Sequence, residues 1–256
     1  MSARTQVELA GVDVSGLDDP GRVLVRDVSW GIERGEWWAI GGGPASGKSA
    51  LLSVAAGLSL PVRGVVRIFG RDVGRTHESE QAVARQEIGF VFENGGGLLG
   101  RLSVAENIAL PLRYHQNLDP AQAQARVDAL LRQAGLEGLG ALVPSQLTVA
   151  LRQRVALLRA LAVPVQILFL DSPFRGLAPS GIRWWLEFLR ELRARRVADG
   201  EPVSLITSSY DFHALREDAE RFAVLERERF RVLEAADEVA AYREDAGLPT
   251  QTSNGL

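Results

Sequence analysis

The segment that most restricts this chain is Trp37-Trp38-Ala39-Ile40 followed by Gly41-Gly42-Gly43-Pro44-Ala45-Ser46-Gly47-Lys48-Ser49. The apolar run has the length of a buried strand, and residues 49–56 have the pattern of a helix. A glycine-rich loop must turn the chain from one to the other. Gly42 to Ser49 fits G-x-x-x-x-G-K-[ST], in which main-chain N–H groups wrap phosphate oxygens and the following helix adds positive partial charge at its start. The candidate phosphate-binding residues are therefore Gly42, Gly43, Pro44, Ala45, Ser46, Gly47, Lys48, Ser49 and Ala50. In such a loop Lys48 reaches the β- and γ-phosphates and Ser49 ligates Mg²⁺.

Composition sharpens this reading at one position. Of the 29 basic residues 28 are Arg, and the single lysine is Lys48. A site that takes Lys in so Arg-rich a chain needs a compact ammonium on a thin stem, not a wide planar fork. The net charge of -3 offers no field for unspecific binding of nucleic acid or anionic lipid. With Cys at 0, disulfides and Cys-ligated metal sites are excluded. His77, His115 and His213 lack the spacing of metal ligands. No apolar run reaches the roughly 18 residues of a membrane span, and the first six residues form no hydrophobic leader. These features predict a cytoplasmic chain with no span of its own.

Strand-like and helical patterns alternate along the rest. Strands are expected at 87–92, 163–170, 202–207 and 222–226, and helices at 103–112, 120–134 and 148–162. The order predicts an α/β fold with a mostly parallel sheet covered on both faces. Asp171 closes the strand at 163–170, where a phosphate-loop NTPase carries a Mg²⁺-binding acid. Gly95-Gly96-Gly97, after the strand at 87–92, marks a loop of unusual backbone freedom. In the Arg-rich stretch 183–196, Trp184, Leu186, Phe188, Leu189 and Leu192 are assigned to the core. Residues 226–231 read as a charged turn between two late strands, and 241–256 as a polar tail that frays.

From about Val7 to about Glu234 the pieces come in the order of an ABC-type ATPase domain, and the chain resembles that family. The anchors are Gly42 to Ser49, Ile88-Gly-Phe-Val-Phe92, Arg152-Gln-Arg-Val-Ala-Leu-Leu-Arg-Ala-Leu161 and Ile167-Leu-Phe-Leu-Asp-Ser-Pro173. Residues 94–100 and 103–113 look most like the ATPases of bacterial lipid transporters of the MCE type. The resemblance implies one nucleotide-binding domain over 1–240, with an N-terminal antiparallel β subdomain and a helical subdomain at about 94–162. It implies ATP and Mg²⁺ as ligands, with Ser49 and Asp171 at the metal; Glu93, where the family has a glutamine, would either ligate the metal or repel the nucleotide. A separate integral-membrane permease would dock from Glu93 to Arg113, a second ATPase subunit would complete a dimer, and the chain would lie on the inner face of the cell membrane.

Departures from the family pattern matter as much. Ala45 replaces a loop glycine, which is free of strain only at negative φ. Ser172 stands where the family has a catalytic glutamate, Tyr210 at its switch histidine and Ala178 at its D-loop aspartate. His213 lies nearby but is not read as the replacement for the histidine. Thr148, Val149, Ala150 and Leu151 occupy the signature, so two glycines are lost. Leu17 and Asp18 fill the stretch that usually holds an adenine-stacking aromatic. The resemblance thus implies a degenerate ATP-binding subunit of a transporter, or alternatively a non-catalytic nucleotide-bound scaffold that regulates a permease.

Overall fold

Every residue of Trp37–Gly42 is buried, as in a strand covered on both faces. It is the third strand in the computed structural model of the chain, which describes residues 5–17, 19–75, 84–116, 118–210, 212–234, 238, 239 and 242. The elements run β1 (Thr5–Ser15), β2 (Val23–Glu33), β3 (Trp37–Gly42), α1 (Lys48–Ala55), β4 (Arg63–Ile68), β5 (Arg71–Asp72) and β6 (Ile88–Val91). Three helices follow, α2 (Val104–His115), α3 (Pro120–Gln133) and α4 (Val149–Ala160), then β7 (Ile167–Leu170), α5 (Pro179–Ala198), β8 (Ser204–Ser208), β9 (Arg221–Glu226) and β10 (Arg229–Leu233).

The strands lie in the order β5-β4-β1-β2-β10-β9-β3-β8-β7-β6. β1 pairs antiparallel with β2 and β4, giving the expected antiparallel part near the N-terminus. β9, β3, β8, β7 and β6 are mutually parallel. The two parts join where Arg229 of β10 pairs with Arg26 of β2. Glu228 sits beside the join and takes a 3.0 Å hydrogen bond from Arg26 Nε.

Strand alternation divides the core between the two faces. Trp37 and Ala39 face the helices with Leu168, Leu170 and Leu205, whereas Trp38 and Ile40 face α1 and the antiparallel strands with Ile167, Phe169 and Ile206. A one-residue slip of β3 would exchange these sets, so its register is strongly specified. The indoles also find polar partners: Trp37 Nε1 donates to Thr207 Oγ1 at 3.1 Å, and Trp38 Nε1 to Glu36 Oε2 at 2.8 Å. Because the central strands are parallel, their C-terminal ends share one edge, where ligands of open α/β sheets bind.

Several boundaries differ from expectation for local reasons. The strand expected over 163–170 begins only at Ile167; Pro164, upstream, has no N–H to give a sheet. In α5 the buried positions are Trp185, Phe188, Leu189 and Leu192, while Trp184 and Leu186 are half-buried. The helical period selects Trp185. Trp184 instead stacks on Phe188, with the Arg154 guanidinium 4.0 Å from its ring centre. The charged turn contracts to Arg227 and Glu228, both at positive φ, and residues 229–231 already belong to β10. α2 runs three residues past 112 and contains Pro111. Asp18, His77, Asp211 and all of 241–256 except Tyr242 lie outside the described residues.

Candidate functional site

The loop after β3 is tied to the strands beside it. Gly47 caps the start of α1 at φ 96. A Cβ there would come within 2.7 Å of Val25 Cγ2 and 3.2 Å of Leu24 Cβ, so β2 leaves room only for hydrogen. Ala45 sits at φ 57, in the left-handed region, and the condition for a strain-free alanine is not met. Such a conformation costs a residue with Cβ about 1 kcal/mol. The segment keeps the turn that glycine would make more cheaply.

Lys48 folds back over this turn. Its Nζ donates to the Gly42 carbonyl at 2.6 Å, the Gly43 carbonyl at 2.9 Å and Ser46 Oγ at 3.4 Å. Burial pushes the ammonium below the ordinary lysine pKa; the negative fields of Asp171 and Glu93 oppose that shift and the Arg175 guanidinium reinforces it. A polyphosphate over the loop would add negative charge next to a cation that is already partly desolvated, and attraction there is stronger than in bulk water.

Two strands away in the parallel order, Asp171 follows β7 and is 4% exposed. Burial raises its carboxyl above the ordinary aspartate range, against the hydrogen bonds it receives from the Ser49 and Ser208 hydroxyls. Ser208 Oγ donates to Asp171 Oδ1 at 2.8 Å and accepts from the Ser172 N–H at 2.8 Å. One hydroxyl therefore braces both the acid and the next residue, which stands at φ 48. The Ser49 hydroxyl and Asp171 carboxylate are hard oxygen donors of the kind Mg²⁺ takes. No group of three His, Asp, Glu or Cys able to hold a metal exists among the described residues. A cation here would share its coordination with phosphate oxygens and water.

Glu93 opens the turn after β6 and forms an ion pair with Arg175, in the loop after β7. Both line a cavity of about 210 Å³ over the glycine loop, together with Leu17, Leu24, residues 44–50 and Ser172. A second cavity of about 500 Å³ is bounded by Lys48, Ser172, Arg175, Tyr210 and His213, among others. Tyr210 thus borders the phosphate loop, and His213, not read as its substitute, borders the same space. Leu17 offers an apolar ledge where a stacking ring was sought.

The glycines after β6 serve packing. Gly95 and Gly97 have positive φ, and a Cβ on Gly95 would come within 2.6 Å of the Arg152 backbone in α4. Arg159 of α4 donates to the Gly97 carbonyl. The loop carrying Glu93 is thereby held against α4, which starts at Val149. There Thr148 is the helix N-cap, its Oγ1 accepting from the Leu151 N–H at 3.3 Å. Val149 and Ala150 occupy the first turn, and none of Thr148, Val149, Ala150 and Leu151 lines either cavity. Ala178 is the N-cap of α5 and supplies no side-chain cap.

The antiparallel strands, parallel core and glycine loop have counterparts in known proteins. The description "ABC transporter" matches residues 25–175, more than half of the chain. The chain belongs to the ABC transporter family. Among curated members it is 41% identical over 211 residues to the sulfate/thiosulfate import ATP-binding protein CysA of Caulobacter vibrioides, covering 81% of this chain and 59% of that one. It is 36% identical over 196 residues to the methionine import ATP-binding protein MetN 3 of Bacillus cereus, covering 77% and 55%. The chain thus spans a little over half the length of these relatives. The ATP-binding cassette MJ0796, solved as a dimer bound to ADP and phosphate, superposes with a TM-score of 0.77 at 27% identity over 90% of this chain and 99% of that one. The cbiO1 subunit of Clostridium perfringens, at 23% identity and a TM-score of 0.76, shares the fold.

Arg175 and Ser208 are the members of this ABC site that sequence reading missed. A signal existed for both. Each lies at or just beyond the C-terminal end of a parallel strand, one pairing step or two from β3. Residues so placed converge whatever their separation along the chain.

Proposed function

We propose that this chain is the ATP-binding subunit of a membrane transporter, and that its own phosphate site takes MgATP but hydrolyses it slowly or not at all. The observation that carries the reading is Lys48, the only lysine, seated in the turn of a Gly42-to-Ser49 loop at the start of α1. Relatives named import ATP-binding proteins support the transport assignment. Ser49 and Asp171 would hold Mg²⁺. Bound there, Mg²⁺ would neutralise the charge of the β- and γ-phosphates.

Slow turnover follows from what stands beside that site. A serine hydroxyl cannot take a proton from water near neutral pH, so Ser172 forgoes a general base worth about 10²–10⁴-fold. Tyr210 and Ala178 replace two further polar groups of the family pattern. Val149 and Ala150 place side chains on the first turn of α4, where glycines would let a partner's phosphate approach the backbone. The chain would pair with a second ATPase subunit and dock on a permease through the segment from Glu93 to Arg113. Among the described residues no helix is long and apolar enough to cross a membrane.

Titration of the purified chain with MgATP, together with phosphate release, tests the proposal. Lys48→Ala should abolish binding. Wild-type turnover should lie at least about a hundredfold below that of a cassette with an intact glutamate. Ser172→Glu alone should not restore it in a homodimer. Robust turnover abolished by Lys48→Ala would overturn the degenerate reading. Val149 and Ala150 also keep the scaffold reading in play: co-purification with a second ATPase chain bearing both signature glycines favours the transporter subunit, and copies of this chain alone favour the scaffold.

A further inference from the structure

Among the described residues, Arg175 is the one cation besides Lys48 that lines both cavities at the glycine loop. Its partner is Glu93, which lines the smaller cavity with it. The Glu93 side chain is 27% exposed and that of Arg175 69%. An ion pair this exposed is worth at most about 1 kcal/mol, so a competing anion can break it readily. Both groups share the smaller cavity with Lys48, the residue proposed to engage the phosphates. A phosphate group offers two oxygens in the plane of a guanidinium fork, with about twice the strength of a neutral hydrogen bond.

We propose that Arg175 is a binding residue for the terminal phosphate of a nucleoside triphosphate and that Glu93 is the restraint that holds it back in the empty protein. The inference rests on the proposed reading that this site takes MgATP. Without ligand, the carboxylate neutralises the guanidinium and keeps it paired. On entry of a triphosphate the pair separates, and Arg175 turns to the incoming oxygens. A diphosphate ends short of that position and leaves the pair closed. The consequence is selectivity for triphosphate over diphosphate at a site with no glutamate beside Asp171.

Equilibrium titration of ATP and ADP, each with Mg²⁺, into the wild-type chain, Arg175→Ala, Glu93→Gln and the double variant tests this. Arg175→Ala should weaken ATP about tenfold and ADP less than about twofold. Glu93→Gln should tighten ATP several-fold in the wild-type background and less than about twofold when Arg175 is already Ala, because there is no guanidinium left to release. Thermal melting of the nucleotide-free variants, expected within a few degrees of wild type, separates these effects from misfolding. Equal losses for ATP and ADP, or a Glu93→Gln effect of the same size in both backgrounds, would overturn the role of Arg175. If the wild type binds ATP and Lys48→Ala does not, that failure leaves the nucleotide site standing. If the wild type binds neither nucleotide, both readings fall together.

Discussion

Replacing Ser208 by Ala probes the brace beneath the site. Ser208 is fully buried at the end of β8, donates to the Asp171 carboxylate at 2.8 Å and accepts from the Ser172 N–H at 2.8 Å. A hydrogen bond to a charged group contributes about 1.5–3 kcal/mol, and leaving a buried N–H unmet costs about 1–3 kcal/mol. The two terms share one hydroxyl and do not add fully. A loss of about 3 kcal/mol is expected, which in a chain of this size lowers Tm by about 6–12 °C. The loss should also depend on pH. Burial raises the Asp171 pKa, so in the native protein its carboxylate is ionised only above a value higher than that of the unfolded chain. The Ser208 hydroxyl favours the ionised form. The penalty of Ser208→Ala should therefore be largest above the folded pKa of Asp171 and should shrink as pH falls through it. Urea denaturation of both proteins from pH 8 down to pH 4.5 measures this difference directly. A loss below about 1 kcal/mol, or one that grows on acidification, would refute the argument that the serine stabilises a buried anion.

Two smaller substitutions test the backbone at Ala178 and Ala45. Ala178→Asp should raise stability by about 1 kcal/mol, or about 2–4 °C in calorimetry, because α5 starts at Ala178 without a side-chain cap and an Asp there can accept from the first-turn N–H groups; a fall in Tm would contradict it. Ala45→Gly relieves about 1 kcal/mol of left-handed strain and gives back about 0.4–1 kcal/mol in unfolded-chain entropy. Its Tm should stay within about 2 °C of wild type, and a larger fall would mean that the methyl group makes a contact the strain argument leaves out.

Much of this protein is written locally. The Thr148 cap of α4 and the alternation of Trp37 and Trp38 between opposite faces each depend on a few consecutive residues. Such features are readable from spacing alone because they follow the backbone periods of 2 and 3.6 residues. Between adjacent indoles in α5 the helical period decides which one is buried. Trp184 packs half-buried against the core beneath Arg154, while the turn of α5 gives the fully buried place to Trp185.

The amino-acid order by itself determined the strand, glycine loop and helix around Lys48 and the acid Asp171 that closes a buried strand. The tertiary structure alone decided that Ser208 supports Asp171, 37 residues away, and that Arg175 meets Glu93 across 82 residues. The reason is that parallel strands bring their ends to one edge in an order set by the sheet, and that order comes from long-range pairing, which no local window of sequence contains.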